Sequence, residues 1–488
     1  MKFKKYILLA LICIQCIPLF AKDYKASLFG IHSDGTTLNT RSIQFAIDHI
    51  HANGGGRLVF YVGRYLSGSV YLKSNVTIHL EEGAVLVGSV NPFEYDRKGF
   101  SALVFAFDQT NIGLTGKGII DGQGKYLARN VVENIEKGIT KDAYTYGRPS
   151  AENRAMLVNF RNCTGVDIKG VTFRNSGSWT QTYDQCKNLT IDSIKVENTS
   201  YWNQDGVDIV DCEDVKMTNS YINAADDGIC LKSHDATKAC KNILIANNTI
   251  RSSANGIKFG TASLGGFVNV RILNNIVFDT YRSAIALEAV DGGYIEDIEI
   301  DGLKSMNTGN LIFLRTGERV KGKQSRLQRV KISNVTADIP ATKPDVGYEY
   351  EGPVEDMPRN ISPAIIVVGL PDAIISDITF NNITFKHAGG GKAQFANVPL
   401  DKLDQIPELP AQYPDFSMFK ELPSWAIFAK HAKGLKFDNL TMTCERADFR
   451  VPIVLDDVKQ SSFSGLKINQ TGKKKDIHQN NTSDITIK

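Results

Sequence analysis

The chain has 488 residues, of which 42% are hydrophobic and 22% are charged, and its formal net charge is +3 at pH 7. A nearly balanced charge gives no support to a nucleic-acid partner, which requires a basic face. The length allows several domains of ordinary size and therefore does not decide the domain count.

The first 21 residues, MKFKKYILLALICIQCIPLFA, combine a basic start, an apolar run and a small residue at Ala21. This pattern predicts a secretory signal peptide, because the apolar run is too short for a membrane anchor. Without residues 1–21 the basic and acidic side chains are equal in number, at 53 each. We expect an exported protein, periplasmic or extracellular, with no membrane span.

One amphipathic helix is predicted near the start, in NTRSIQFAIDHIHANGGG at 39–56. Its apolar residues recur with helical spacing, it has a polar start, and glycines follow its end. We expect this short helix to cap one end of the elements that follow.

Short segments that alternate apolar and polar residues recur after residue 60. Such alternation predicts strands, and Asn, Asp and Gly fill the gaps between them. Successive segments begin at 166, 189, 215, 243, 270, 298 and 330, a spacing of 23 to 32 residues that indicates a solenoid. We therefore predict an all-β fold, a single-stranded right-handed parallel β-helix that forms one domain over residues 22–488.

Two stretches rich in Pro, Gly and charge, at about 340–363 and 387–424, are predicted to be long loops. Aromatic residues of the second loop either pin it to its own coil, which we expect, or line a wall for sugars. Six cysteines follow the leader, and Cys163, Cys186 and Cys212 are spaced like the repeat. Buried thiols on successive coils are expected, with a disulfide as the alternative.

Four consecutive coils can be aligned by apolar pairs that should point inward: Val207 and Ile209, Ile229 and Leu231, Ile257 and Phe259, and Ile285 and Leu287. Asp205 and Asp227 then precede two neighbouring strands, with Asp226 beside Asp227. Parallel strands lie about 4.8 Å apart, so three carboxylates should meet at the mouth of one groove. Their repulsion should raise the pKa of at least one of them.

Carboxyl groups with different pKa values support the hydrolysis of glycosidic bonds. A protonated carboxyl donates to the leaving oxygen, and an ionised one activates water or attacks the sugar. Two other uses of clustered aspartates stay open at this point. Asp residues at strand ends also make turns, and carboxylate clusters also bind calcium.

At these residues the sequence resembles the polygalacturonases, family 28 of the glycoside hydrolases. NQDG at 203–206 is similar to the family's Asn-x-Asp-Gly motif, and DDG at 226–228 to its Asp-Asp motif. The opening coils and NSGSWTQTYDQCKNLTI at 175–191 are also similar. The resemblance implies that Asp226 is the general acid, that Asp205 and Asp227 position and deprotonate water, and that inversion occurs without a metal or cofactor.

Two family motifs are altered. Asn255 stands where the family has a histidine, and Ala286 and Glu288 replace two cations that are associated with a galacturonate carboxylate. Lys258 and Arg315 are predicted to compensate by holding a uronate carboxylate. In the alternatives, Lys258 pairs with Glu288 on the surface, or Glu288 binds hydroxyls of a neutral sugar such as rhamnose.

The predicted substrate is therefore a pectic, galacturonate-containing glycan, with rhamnogalacturonan as one form of it. Polysaccharide lyase activity and non-catalytic glycan binding are the rival functions. Trp202 is predicted to form a wall of the groove. The predicted substrate-binding set is Asn203, Asp208, Lys232, Asn255, Lys258, Glu288, Arg315 and Trp202.

Overall fold

A computed structural model describes residues 22–348, 362–393, 399–472 and 476–488. The predicted signal peptide lies outside these residues, as do positions 349–361 of the first predicted loop and 394–398 of the second. Within the described residues the chain winds through parallel strands, each paired with the strand one coil earlier and the strand one coil later. This is the right-handed parallel β-helix that the repeat predicted.

Three parallel sheets run along the solenoid. The first contains the strands Asp23–Lys25, Gly56–Phe60, Val76–Leu80, Thr110–Gly116, Thr164–Lys169, Lys187–Asp192, Glu213–Thr218, Ala239–Ala246, Gly266–Leu273, Tyr294–Asp301 and Ser483–Ile487. The second contains Asp34–Leu38, Gly63–Ser67, Ala84–Gly88, Ile119–Asp121, Thr172–Arg174, Lys195–Asn198, Tyr221–Ala224, Thr249–Ser252 and Lys467–Asn469.

The third sheet contains Val70–Tyr71, Phe100–Phe107, Met156–Arg161, Gln181–Asp184, Val207–Val210, Ile229–Ser233, Ile257–Ser263, Ile365–Val368, Ser424–Lys433 and Ile477–Asn480. Six longer strands bend from one sheet into another: Ile276–Ala289, Lys304–Thr316, Arg326–Ile339, Ile375–Gly389, Lys436–Arg446 and Val451–Ser464. A short strand, Arg97–Lys98, pairs antiparallel with the start of Phe100–Phe107.

The core is a tube of inward-facing apolar side chains stacked from coil to coil. The four apolar pairs aligned from the sequence are fully buried, and their strands pair in the predicted register. Farther along, Phe380, Phe437 and Phe463 stack with centroids 4.7 Å apart at both steps. Period-two alternation thus placed the core correctly, because each strand buries one of its two faces.

Several asparagines lie at the corners where the chain passes from one sheet to the next. Asn334, Asn382 and Asn439 all have φ near 55°, in the left-handed region that Asn tolerates better than most residues. Their amides are hydrogen-bonded in a ladder, at 2.7 Å between the first two and 3.1 Å between the last two. The corners are therefore stabilised by the stacking of identical side chains.

Two α-helices occur in the described part of the chain: α1, Thr40–Ala52, and α2, Gly124–Glu136. Helix α1 buries Ile43, Ala46, Ile47 and Ile50 against the first coils, as predicted for a cap. Helix α2 was not predicted, so the expectation of a single helix was wrong. It buries Leu127, Ala128 and Val131, a stripe too narrow to stand out among its polar residues. Five short 3₁₀ segments are Ala26–Phe29, Pro92–Glu94, Thr145–Gly147, Ala151–Asn153 and Leu403–Gln405.

All six cysteines after the leader are buried and free. The Cys212 sulfur lies 3.3 Å from the backbone nitrogen of Cys186 on the preceding coil. The prediction of stacked buried thiols is confirmed. No helix among the described residues is long and apolar enough to cross a membrane.

Candidate active site

The candidate site lies on the outer face of the third sheet. The register of the parallel strands there stacks one side chain of each coil above one side chain of the next. Asp208, Cys230, Lys258 and Ala286 occupy one column on four successive coils. Their inward neighbours are the apolar pairs of the core, so this column faces out of the tube. The outer surface above this column, where Asp226 is partly exposed, is called the groove below.

Glycines bring the two aspartate-bearing turns close together. A Cβ atom on Gly206 would lie 2.4 Å from the carbonyl oxygen of Gly228, and one on Gly228 would lie 2.7 Å from that of Gly256. Such contacts exclude any other residue without a shift of the backbone. The glycine of each aspartate motif is thus explained by packing between coils, and it holds Asp205 one coil from Asp227.

The structure brings Asp205, Asp226 and Asp227 together. One carboxylate oxygen of Asp205 and one of Asp227 lie within 4.8 Å of each other. Both residues are 4% exposed, whereas the side chain of Asp226 is partly exposed to the groove. The Asp226 carboxylate accepts a hydrogen bond of 2.9 Å from the backbone N–H of Asp227.

The environments of Asp226 and Asp227 push their pKa values apart. Burial, followed by the charge of Asp227, raises the pKa of Asp226. Burial acts to raise the pKa of Asp227 as well, but the charges of Lys258, Lys232 and Arg282 and a hydrogen bond from Asn255 outweigh it and lower that pKa. The pair therefore combines one carboxyl group with a raised pKa and one with a lowered pKa.

Lys232 connects the aspartates of the first coil. Its ammonium lies 3.1 Å from Asp205 Oδ2, also forms a short contact with Asp208, and sits 4.2 Å from the ring centroid of Trp179. Burial raises the pKa of Asp205 well above its ordinary value, and the charge of Lys232 opposes this effect. Lys232 and Asp208 are 7% and 0% exposed. Both residues lie beneath the groove and Lys232 contacts Asp205, and their predicted contact with substrate stays a prediction.

Asn255 contacts Asp227 directly and Asn203 lies in the turn before Asp205, and their predicted binding of substrate stays a prediction. The Asn255 backbone N–H and its side-chain amide both donate to Asp227 Oδ1, at 3.1 and 2.8 Å. The Asn203 amide oxygen accepts from the buried guanidinium of Arg154, which also donates to the carbonyl of Trp202. Arg154 was missed because it lies two coils earlier in the sequence, where no motif marks it. It holds the turn that leads into Asp205.

Lys258 is 1% exposed and pairs with two carboxylates rather than with solvent. Its ammonium lies 3.1 Å from Asp227 and 3.7 Å from Glu288, and it donates a 2.9 Å hydrogen bond to the hydroxyl of Tyr413. Burial raises the pKa of Glu288 to about 7. The Lys258–Glu288 pair therefore exists, but it is buried and does not lie on the surface, and the binding of a uronate by Lys258 stays a prediction.

Arg315 lies beside Glu288 on the following coil, as predicted, but its guanidinium is hydrogen-bonded to backbone carbonyls. Its terminal nitrogens donate to four backbone carbonyls, those of Val368 and Gly369 in the third sheet and those of Glu408 and Leu409 in the long loop. Burial lowers its pKa to about 10. This guanidinium anchors the loop to the solenoid, and its donors are used for that purpose.

Residues 399–423, called the end loop below, bring two further side chains to the groove. Tyr413 is 50% exposed, and its ring lies 5.1 Å from the Lys258 ammonium. Asp415 Oδ2 lies 3.2 Å from Arg282 Nε. Arg282 precedes Ser283 as Asp226 precedes Asp227, so alignment of the coils puts it in the column of the proposed acid. The alignment of the coils in the sequence could therefore have placed Arg282 near the aspartates.

Two tryptophans lie on the other side of the aspartates. Trp179 packs against Phe100 at a centroid distance of 5.3 Å and supports Lys232, as described above. Trp202 is half-buried, and its ring lies 4.4 Å from the guanidinium of Arg148. The contact with Lys232 makes Trp179 the tryptophan that is coupled to the aspartates, whereas the predicted wall role of Trp202 stays a prediction.

The model of the glycosyl hydrolases family 28 matches residues 60–283, a segment that includes all three aspartates. An exo-poly-alpha-D-galacturonosidase of Dickeya chrysanthemi is 29% identical over 321 residues, covering 54% of this chain and 52% of that protein. A probable polygalacturonase of Vitis vinifera is 26% identical and covers 78% of both chains. Over residues 60–283 the chain is therefore similar to glycosyl hydrolase family 28.

A solved structure is similar to this chain at the level of the fold. The family 28 exopolygalacturonase of Yersinia enterocolitica superposes with a TM-score of 0.66 at 17% identity, over 95% of this chain and 78% of that one. Among the curated relatives the match covers only about half the length of the Dickeya protein. The activity and substrate of this chain are therefore proposed from the geometry and charges of the aspartate site.

Proposed function

We propose that this protein is a glycoside hydrolase that cleaves a pectic, galacturonate-containing polysaccharide or oligosaccharide by inverting acid/base catalysis. The observation that carries the proposal is the pair Asp226 and Asp227, whose pKa values are shifted in opposite directions at the mouth of one groove. Family 28 relatives that are named as polygalacturonases support the same chemistry and substrate class.

Asp226 is the proposed general acid. Its raised pKa keeps it protonated at a pH where an ordinary aspartate is ionised, and its partial exposure lets it reach a glycosidic oxygen. As the bond breaks, the Asp226 proton passes to the leaving oxygen. The hydrogen bond from the backbone N–H of Asp227 fixes the orientation of the carboxyl and stabilises the carboxylate that is left.

Asp227 and Asp205 are proposed to handle the attacking water. Oxygens no more than 4.8 Å apart can both accept hydrogen bonds from one water molecule. Asp227, with its lowered pKa, is the ionised member that takes the proton. Asp205 orients the same water, and Lys232 holds its carboxylate in place. Attack from the face opposite the leaving group inverts the anomeric centre.

The Asp226→Asn variant tests the acid. We expect kcat on the best pectic oligosaccharide to fall by about 10³-fold, because an amide cannot supply the proton. The product of the wild type should have the inverted anomeric configuration, as measured by proton NMR. Asp372→Asn, an exposed acid elsewhere on the chain, is the control. Undiminished hydrolysis by Asp226→Asn would refute the assignment. An unsaturated, ultraviolet-absorbing product would favour the lyase alternative.

Export through the predicted signal peptide at residues 1–21 belongs to the same proposal, since pectic polymers lie outside cells. Expression of the full chain, followed by N-terminal sequencing of the protein in the periplasm or medium, is the measurement that checks it. We expect a new N-terminus after Ala21, and an intact Met1 in the exported protein would contradict the prediction.

A further inference from the structure

The groove ends abruptly beyond Lys258. The outward column that begins Asp208, Cys230, Lys258 continues with residues that are apolar and fully buried, namely Ala286, Phe313, Ile366, Phe428 and Val454. The end loop covers them, packing Leu403, Ile406, Phe416, Met418, Phe419 and Leu422 into one cluster with this column. A glycan lying in the groove therefore meets a wall one coil after Lys258.

This wall is firmly attached to the solenoid. Besides the four carbonyl contacts of Arg315, the Lys430 ammonium lies 2.8 Å from Glu408 and donates to the carbonyl of Ile406 at 3.0 Å. His431 contacts Glu408 at 3.0 Å from the other side. The closed end is thus bonded to the coils by side chains of Arg315, Lys430 and His431.

The two cations facing the closed end are engaged by carboxylates. Lys258 lies between Asp227 and Glu288, at 3.1 and 3.7 Å. The Arg282 side chain, 15% exposed, is paired with Asp415 of the end loop at 3.2 Å. A uronate carboxylate placed here would face Asp227, Glu288 and Asp415, and it would have to compete with them for both cations. Like charges in a desolvated site repel strongly.

We propose that the subsite at the closed end accepts a neutral sugar rather than a uronate, and that Asp415 is the residue that determines this preference. The inference rests on the proposed glycoside hydrolase function and names the sugar class at one end of its groove. Hydroxyl groups of a neutral sugar can donate to Oδ2 of Asp415, whose side chain is partly exposed. The half-exposed ring of Tyr413 offers an apolar surface beside this carboxylate.

The two oxygens of Asp415 have separate roles, which makes a clean substitution available. Oδ1 accepts hydrogen bonds from the backbone N–H and the hydroxyl of Ser417, at 3.0 and 3.1 Å, whereas Oδ2 faces Arg282. Asp415→Asn can keep the Ser417 contacts and removes the negative charge from Arg282. The matched control is Asp404→Asn, which removes an exposed charge from the same loop.

Binding is measured by titration calorimetry in the full chain carrying Asp226→Asn, so that turnover does not interfere. The probes are trigalacturonate and the trisaccharide rhamnose–galacturonate–rhamnose, which is neutral at both ends. We expect the second to bind at least tenfold more tightly. Adding Asp415→Asn should tighten trigalacturonate binding about tenfold and change the other Kd less than twofold, and Asp404→Asn should change neither.

The inference would be overturned if trigalacturonate bound as tightly as the neutral-ended probe. It would also be overturned if Asp415→Asn, in a variant with normal thermal stability, left trigalacturonate binding unchanged. Failure of both probes to bind would overturn it as well. Hydrolysis is scored separately in the wild type. If the protein shows the expected binding preference but no hydrolysis, the proposed function is refuted and the subsite inference is supported. If it hydrolyses the substrate without the preference, the subsite inference is refuted and the proposed function is supported.

Discussion

Asp226 and Asp227 are adjacent in the chain, yet their pKa values are shifted in opposite directions. The side chain of Asp227 turns toward Lys258 and Asn255, which stabilise its carboxylate, whereas Asp226 faces the groove with Asp227 as its nearest charge. Both residues lie in the turn between the strands Tyr221–Ala224 and Ile229–Ser233, where their side chains have different partners. The identity of the two residues was readable from sequence, but the sign of each pKa shift depended on these partners.

A prediction at the residue scale concerns Lys258→Met. Removing this cation should raise the pKa of Asp227, because burial is then less opposed. Asp227 is proposed to act as a carboxylate, so we expect activity to be lost as pH falls through its pKa. The acidic limb of the kcat/KM profile should therefore move up by about one pH unit or more. The alkaline limb, set by Asp226, should move less.

The control for this pH profile is Lys402→Met, an exposed lysine on the end loop. Its profile should match that of the wild type. An acidic limb of Lys258→Met that coincides with the wild-type limb would show that Lys258 does not set the pKa of the proposed base.

At the element scale, the end loop combines the two roles that its aromatic residues suggested. Phe416 and Phe419, 3% and 5% exposed, pin the loop to the apolar column, as expected. Tyr413 instead projects over Lys258, a residue 155 positions away in the chain. Aromatic composition indicates burial of some rings, but which ring reaches the groove depends on how the loop is anchored.

Phe416→Ala should loosen the end loop without unfolding the coils. Removing a buried phenylalanine leaves a cavity that costs about 3 kcal/mol, and this cost falls on the loop and the column beneath it. We expect faster limited proteolysis within 399–423, identified by mass spectrometry, together with a lower kcat/KM. Gln412→Ala, exposed on the same loop, should leave the cleavage rate unchanged. Equal cleavage rates in the two variants would contradict the pinning role.

At the scale of the whole molecule, stability comes from contacts between neighbouring coils that repeat along the tube. Phe437 stacks between Phe380 and Phe463, so its removal disturbs two interfaces at once. We expect Phe437→Ala to lower the free energy of unfolding by about 3 kcal/mol or more. The measurement is denaturant unfolding followed by circular dichroism.

The same variant should keep its kcat/KM at low temperature, because Phe437 lies on coils remote from the aspartates. Phe93→Ala, which alters a ring that is 65% exposed, should change neither quantity. A stability loss no larger than that of Phe93→Ala would contradict the role of the aromatic stack.

Sequence by itself determined the coil, its apolar interior and the placement of Asp205 one turn from Asp227, because these follow from a two-residue alternation and a repeat that are local in the chain. Only the tertiary structure decided that Lys258 is buried, that Arg315 anchors a loop, and that Arg282 meets Asp415. Those contacts join a loop to coils far away in the chain. Their partners are chosen by packing and charge in space, which no local pattern encodes.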